Sequence, residues 1–346
     1  MKLKLEKTIS VLLALIILLS CFALSASAVS LDDGLSALRG QWSRGNGPKK
    51  GGYDIDYSFY SPKKSDDDET KYPLVIFMGG ASEGKSKGHE LEANNFAYWS
   101  SEEYQSKFED AGGAYLLIAR APEEAALFWD SPLITDALFA AIDDFVNKNP
   151  NVDRDRISVI GWCLGACGAT MLTAKHPDYF AAGVYMASRY TVSNSEAEKL
   201  KNVSTWIICS LSDSYSVYDL YSGPFWSKMR SSAADKSKIR LTTCASAPDV
   251  SILLKHNVWD MVARDMTSNE GCTGVKTVDG NSDTIDSPSV ISWLSQQKRS
   301  ENAPNECSHQ CHSSGLSKFI WTIKCFFYRI FSMNSYRYCE CGEAHW

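Results

Sequence analysis

Histidine is scarce in this chain, a basic excess is absent, and apolar runs are short. The 346 residues hold six histidines, 35 lysines and arginines, and 41 aspartates and glutamates, for a formal charge of −6. Nucleic-acid binding calls for a basic stripe, so this composition argues against a nucleic-acid partner. The apolar run at residues 11–19 is shorter than the roughly 20 residues of a membrane-spanning helix. With six histidines, histidine-based chemistry has few candidate positions.

The first 28 residues have the pattern of a secretory signal. Three lysines precede the apolar run 11–19, and a small-residue cleavage site ends at Ala28. We therefore expect an exported protein whose mature chain begins after Ala28, and we exclude residues 1–28 from the fold. Residues 18–21 loosely resemble a lipoprotein cleavage box, so lipid attachment at Cys21 is the alternative.

Residues 29–299 suit a single α/β domain. Continuous apolar runs are typical of buried parallel strands. The strand candidates are residues 55–60, 74–78, 115–119, 157–160, 182–186, 205–210 and 239–245, and helices are expected over 131–147, from 164 to His176 and over 289–298. This alternation predicts a mostly parallel, doubly wound sheet flanked by helices. Residues 266–287, rich in Ser, Asn, Thr and Gly, are expected to be an insertion.

The most informative motif is the Gly-Trp-Cys-Leu-Gly run at residues 161–165. It follows a β-branched run, 157–160, and precedes a helical pattern, 166–173. Strand, Gly-x-nucleophile-x-Gly and helix is the context of a nucleophile elbow. Cys163 would then lie at a helix N-terminus, where the dipole favours the reactive thiolate. The alternative is a small buried core cysteine.

A cysteine nucleophile needs a base and an orienting acid, and the elbow template orders them nucleophile, acid, base. Of the six histidines, His256 is the one in the expected window: His89 precedes the elbow, His176 ends the elbow helix, and three lie in the C-terminal tail. Asp213 follows the predicted strand 205–210, where the acid belongs. Asp249 and Asp260 are lesser candidates.

An oxyanion hole is expected beside the elbow. The predicted strand 74–78 is followed by Gly79, Gly80 and Ala81, whose small side chains would let backbone N–H groups approach an oxyanion. The N–H of Leu164, next to the cysteine, would be the second donor. An ordinary strand-to-loop turn is the alternative for this Gly-Gly pair.

In these features the chain resembles a secreted α/β-hydrolase of the esterase, predicted-peptidase and polyhydroxybutyrate-depolymerase-like group, over about residues 31–299. The matching segments are 56–62, 72–80, 151–165, 176–182, 256–260 and 292–295. The group usually has serine where this chain has Cys163, and histidine where it has Met78. Dienelactone hydrolases resemble the chain in their Gly-x-Cys-x-Gly elbow but are otherwise less similar.

The resemblance implies an α/β-hydrolase fold and acyl transfer on a Cys163, His256 and Asp213 triad, with no cofactor for catalysis. The implied substrate is a small-molecule or polymer-borne carboxylic ester or lactone, with peptides less favoured. Because fold alone does not establish chemistry, a second hypothesis stands beside it. The chain would then be an inactive hydrolase-like binding protein at the cell surface.

After a polar linker at residues 300–306, the tail at 307–346 is rich in cysteine and histidine. Its clustered thiols and imidazoles predict a structural zinc site. The candidate ligands are Cys307, Cys311, Cys339 and Cys341, with His309, His312 and His345 as replacements or a second site. Disulfides are the alternative in an exported protein. An apolar helical stripe between the clusters predicts contact with a membrane surface or the cell envelope, or the core of a small module.

Overall fold

The structure is a computed structural model, and it describes residues 33–63, 69–81, 95–108, 110–122, 129, 131–250 and 254–299. The predicted signal, Cys21, His89, the linker and the Cys/His-rich tail with its seven candidate ligands lie outside the described residues. What the sequence predicts for those segments stays a prediction.

A nine-stranded sheet runs through the described part of the chain. Its strands are β1 (Ser43–Asn46), β2 (Asp56–Tyr60), β3 (Tyr72–Met78), β4 (Tyr115–Ala119), β5 (Val152–Trp162), β6 (Ala182–Met186), β7 (Ser204–Ser210), β8 (Ile239–Cys244) and β9 (Lys276–Asp279). Their spatial order is β1-β2-β4-β3-β5-β6-β7-β8-β9. The pairs from β4 through β8 are parallel, whereas β1, β2 and β9 join antiparallel.

Helices connect these strands. They are α1 (Asp33–Arg39), α2 (Glu102–Gln105), α3 (Pro132–Lys148), α4 (Leu164–Lys175), α5 (Asn194–Lys199), α6 (Ser222–Ser232), α7 (Trp259–Ala263) and α8 (Val290–Ser295), with short 3-10 turns at Phe96–Ser100, Leu200–Asn202 and Lys236–Lys238. Proline occupies the first turn of α3, where its missing N–H has no intrahelical acceptor to lose. The closing helix α8 is shorter than the predicted 289–298. No helix among the residues described is long and apolar enough to cross a membrane.

The apolar core lies on both faces of the sheet. Along β3, Leu74 and Ile76 pack into the cluster that holds α3 and α4, while Val75 and Phe77 pack into the cluster that holds α7 and α8. A strand buried on both faces needs apolar side chains at consecutive positions, which explains its continuous apolar run. The predicted mostly parallel, doubly wound sheet is confirmed.

The expected insertion at residues 266–287 is only partly irregular. Strand β9 lies within it and pairs antiparallel with β8, with Leu241 opposite Val278. This strand covers the edge that β8 would otherwise expose, so part of the expected insertion belongs to the sheet.

Candidate active site

Cys163 occupies a sharp turn between β5 and α4. Its backbone has φ 56° and ψ −120°, a left-handed conformation that costs free energy for any residue with a side chain. The Cys163 N–H donates to the carbonyl of Met186 on neighbouring β6, at 2.9 Å. Strand, strained turn and helix are therefore present as the sequence predicts, although Cys163 is only 4% exposed.

The two glycines of the motif let the elbow approach its neighbours closely. A Cβ atom on Gly161 would overlap the backbone of Gly165, and one on Gly165 would overlap the backbone carbonyls of Met78 and Gly79. The first turn of α4 therefore rests directly on the end of β3. Because of this contact, Gly80, the next residue after Gly79, lies close to the elbow.

The predicted oxyanion-hole residues lie around this contact. Leu164 is the first residue of α4, where the backbone N–H has no intrahelical acceptor. Gly80 is buried and Ala81 is partly exposed, directly after β3. Met78 is the register partner of Gly161, so the strand ends that carry both predicted donor groups are adjacent.

His256 and Asp213 form a buried pair. His256 Nδ1 lies 2.7 Å from Asp213 Oδ2, and neither side chain is exposed. The other carboxylate oxygen, Oδ1, accepts the backbone N–H groups of Tyr215 at 2.8 Å and Ser216 at 2.9 Å. Because the carboxylate engages Nδ1, the neutral imidazole carries its proton there and leaves Nε2 as the basic nitrogen.

His256 Nε2 is buried and has no hydrogen-bond partner among the described residues. Two aromatic rings flank the imidazole: Trp162 at 5.7 Å and Tyr215, edge-on, at 5.4 Å between ring centroids. Trp162 immediately precedes Cys163, so thiol and imidazole share one end of the sheet. The structure does not join them by a hydrogen bond, and such bonds are often long before substrate binds.

The lesser candidates for the acid and base have other partners. Asp249 pairs with Lys255 at 3.2 Å. Asp260 accepts a 2.7 Å hydrogen bond from Asn257, and burial raises its pKa. His176 follows α4 at its far end and stacks on Phe139 with 3.5 Å between centroids.

Some of the large aromatic residues belong to the core rather than to the surroundings of His256. Trp129 and Trp226 are buried in the cluster around α3 and α4, whereas Trp162 and Tyr215 contact His256. Sequence reasoning missed Arg189, whose guanidinium carbon lies 4.4 Å from the centroid of the Tyr215 ring. Its signal is a charged residue just after a central parallel strand, at the edge where ligands bind in such sheets.

Four further cysteines among the described residues are buried thiols: Cys167, Cys209, Cys244 and Cys272. Burial raises the pKa of Cys209 to about 12. A hydrogen bond between the thiols of Cys244 and Cys272 lowers the pKa of the first and raises that of the second. Within the part of the chain that is described, no group of three or more His, Cys, Asp or Glu residues is placed to hold a metal ion.

Comparison with known proteins identifies similar structures rather than similar sequences. No protein-family model and no curated protein matches the chain. A crystal structure of a thermostable esterase superposes with a TM-score of 0.59 at 18% identity, over 76% of this chain and 64% of the esterase. The chain thus spans less than two thirds of that protein's length.

Two other solved structures superpose less well. A ferulic acid esterase has a TM-score of 0.46 at 15% identity, over 58% of this chain and 88% of its own. Acylaminoacyl peptidase from Pyrococcus horikoshii has a TM-score of 0.43 at 15% identity, over 59% of this chain and 37% of the peptidase. The sheet order, the elbow between β5 and α4, and the match to the thermostable esterase lead to one conclusion. The described part of the chain has the α/β-hydrolase fold.

Proposed function

We propose that this protein hydrolyses a carboxylic ester or lactone through a covalent acyl-enzyme on Cys163, with His256 as general base and Asp213 as its partner. One observation carries the proposal. The buried Asp213–His256 pair lies at the end of the sheet where Cys163 is held in a strained turn. A fold of this class hosts many functions, so the proposal depends on these side chains.

In the first step, His256 Nε2 takes the proton of the Cys163 thiol, and the sulfur forms a bond to the carbonyl carbon of the ester. The carbonyl π electrons move to oxygen, and the N–H groups of Leu164 and of the Gly80–Ala81 turn stabilise this oxyanion. When the carbonyl re-forms, the bond to the leaving oxygen breaks. The alcohol departs with the proton from His256 and leaves a thioester on Cys163.

In the second step, His256 takes a proton from water, and the resulting hydroxide attacks the thioester carbonyl. The carbon–sulfur bond breaks, His256 returns its proton to the Cys163 sulfur, and the carboxylic acid product leaves. Asp213 stabilises the imidazolium that forms in both steps. A thiolate expels an alkoxide more readily than an amine without strong acid assistance, so an ester or lactone is favoured over a peptide.

The rival proposal is an inactive binding protein that kept the scaffold. The low exposure of Cys163 and the lack of a hydrogen bond from His256 Nε2 among the described residues favour it. The two proposals differ in turnover and in their response to alkylation of the thiol. Under both proposals the protein is exported. Its C-terminal module would contact the cell envelope or a membrane surface.

The test is hydrolysis of 4-nitrophenyl acetate and butyrate by the full chain, before and after iodoacetamide. We expect turnover that alkylation abolishes. Cys163→Ala should lose at least about 10³-fold in kcat/KM. The matched control is Cys209→Ala, which removes another buried thiol, on β7 rather than in the elbow, and should keep its turnover. Folded protein without turnover, or a fully active Cys163→Ala variant, would contradict the proposal.

A further inference from the structure

Arg189 lies beside the candidate active site. It follows β6 directly, in the loop that begins at Ala187, and the last residue of β6, Met186, accepts the backbone N–H of Cys163 at 2.9 Å. The loop is anchored on its other side, because the Ser216 hydroxyl donates to the carbonyl of Ala187 at 2.6 Å. Arg189 is therefore presented from a segment that is fixed to the elbow and to the Asp213 loop.

Two aromatic rings hold the guanidinium group. Its carbon lies 4.4 Å from the centroid of Tyr215 and 5.8 Å from that of Tyr221. Tyr215 also packs edge-on against His256 at 5.4 Å. A single aromatic ring therefore lies between the cation and the imidazole. The guanidinium also forms hydrogen bonds to the side chains of Tyr215 and Tyr221. Because a guanidinium has five N–H donors, donors remain for a ligand.

The charge of Arg189 is not neutralised by the protein. Across the described residues, no carboxylate lies within 4.0 Å of its guanidinium, although acidic residues outnumber basic ones 41 to 35 in the chain. Two other exposed cations, Lys148 and Lys201, are each paired with an acidic side chain one helical turn away. The side chain itself is exposed, so it is accessible to a substrate.

We propose that Arg189 binds a carboxylate carried by the substrate, so that the preferred substrates are esters of acids or alcohols with a second, ionised carboxyl group. This inference rests on the proposed ester hydrolysis and adds its substrate class. A guanidinium presents paired N–H donors that match the two oxygens of a carboxylate. Because Tyr215 touches both Arg189 and His256, such a contact would hold the scissile carbonyl near the base.

The test compares two matched substrates: the mono-4-nitrophenyl ester of adipic acid and the same ester with its free carboxylate converted to a primary amide. These differ in charge but hardly in length or shape. We expect the full chain to have a lower KM for the anionic ester, with an advantage that weakens as salt rises. Glutarate and suberate esters then give the preferred spacing between carboxylate and ester.

Variants assign the preference to Arg189. In Arg189→Gln, the ratio of kcat/KM for the anionic over the neutral ester should fall roughly tenfold, as for loss of one charge-assisted contact. Arg189→Lys should restore part of the ratio, and Arg189→Glu should invert it. The control is Arg154→Gln, which removes an equal charge near the opposite end of β5 and should leave the ratio unchanged. An equal loss on both esters in Arg189→Gln would overturn the inference, because it would mean that Arg189 only supports Tyr215.

A binding measurement separates this inference from the proposed function. Calorimetry with folded Cys163→Ala compares adipic acid monoamide, which carries a carboxylate, with neutral adipamide. Tighter binding of the monoamide that Arg189→Gln removes would support the anion site, even if no ester were hydrolysed. Equal binding of both probes would overturn it, even if esters were hydrolysed.

Discussion

Asp213 engages His256 Nδ1 at 2.7 Å while its other oxygen accepts two backbone N–H groups, so the carboxylate is fixed before it meets the imidazole. A second link ties the two loops, because the Ser214 N–H donates to the Leu254 carbonyl at 3.2 Å. The orientation of His256 is thus built into the backbone of both loops. This arrangement leads to a graded prediction for the pair.

His256→Ala should lower kcat for 4-nitrophenyl butyrate by several orders of magnitude, because it removes the base. Asp213→Asn should lower it by a smaller factor, since the imidazole remains but loses its partner. Steady-state kinetics at pH 7.5 measure both. His176→Ala and Asp249→Asn are the controls, and both should retain activity. A silent His256→Ala variant combined with an inactive His176→Ala variant would mean that the base is assigned wrongly.

Iodoacetamide should alkylate Cys163 before Cys209. Cys163 is the N-cap of α4, where the helix dipole favours the thiolate. Burial raises the pKa of Cys209 to about 12, so this residue remains a thiol at pH 7.5. Peptide mass spectrometry over a time course gives the order, with unfolded protein as the control in which both residues react. Equal rates for both in the folded chain would count against an activated Cys163.

The central sheet and the order of the site residues were predictable from the sequence because both depend on strong local patterns. The runs at β3 and β4 are apolar at consecutive positions, as burial on both faces requires. Gly161 and Gly165, on either side of Cys163, mark a tight turn, because a side chain at either glycine position would overlap the backbone. Position after a strand then selected Asp213 and His256, since the carboxyl ends of parallel strands share one edge of the sheet.

Other features depend on tertiary context. Strand β1 reads Ser-Arg-Gly-Asn and β9 reads Lys-Thr-Val-Asp. Such short polar segments have little strand propensity, and they form strands here because a neighbouring edge offers hydrogen bonds. Arg189 escaped notice for a similar reason. An arginine after a strand is common, and only its contacts with Tyr215 and Tyr221 set it apart.

His176 should make the fold less stable in acid. Burial lowers its pKa from 6.5 to about 4, and its Nε2 atom is buried without a hydrogen-bond partner among the described residues. Between pH 6.5 and about 4, the unfolded chain therefore takes up a proton at this position that the folded chain does not. By linkage, the free energy of unfolding falls as the pH drops through this window, by about 2–3 kcal/mol for this residue.

Urea unfolding at pH 7 and pH 4.5 measures this effect, with His176→Phe as the comparison. Phenylalanine keeps a ring against Phe139 but cannot titrate. Carboxylates elsewhere titrate in both proteins, so the difference between the two pH dependences isolates His176. The variant should lose less stability on acidification than the natural chain. Parallel losses would show that the imidazole is protonated in the folded state at pH 4.5.

A chain that ends at Arg299 should fold and keep the ester hydrolysis of the full chain. Helix α8 buries Ile291 and Leu294 against the sheet. Arg299 itself closes the domain, because its backbone N–H donates to the Asp155 carbonyl at 2.8 Å and its guanidinium contacts the Asp155 carboxylate. Circular dichroism and turnover with 4-nitrophenyl butyrate measure the result. Loss of folding after this truncation would show that the tail completes the domain.

Metal analysis of the same two proteins tests the prediction for the tail. The full chain should hold about one zinc, because a small module gains much of its folding free energy from the metal. The chain ending at Arg299 should hold none, because all seven predicted ligands lie in the tail. Substituting Cys307 and Cys339 by serine together should release the zinc and leave turnover intact. Natively secreted protein with Cys307, Cys311, Cys339 and Cys341 fully oxidised and no bound metal would establish disulfides in place of the zinc site.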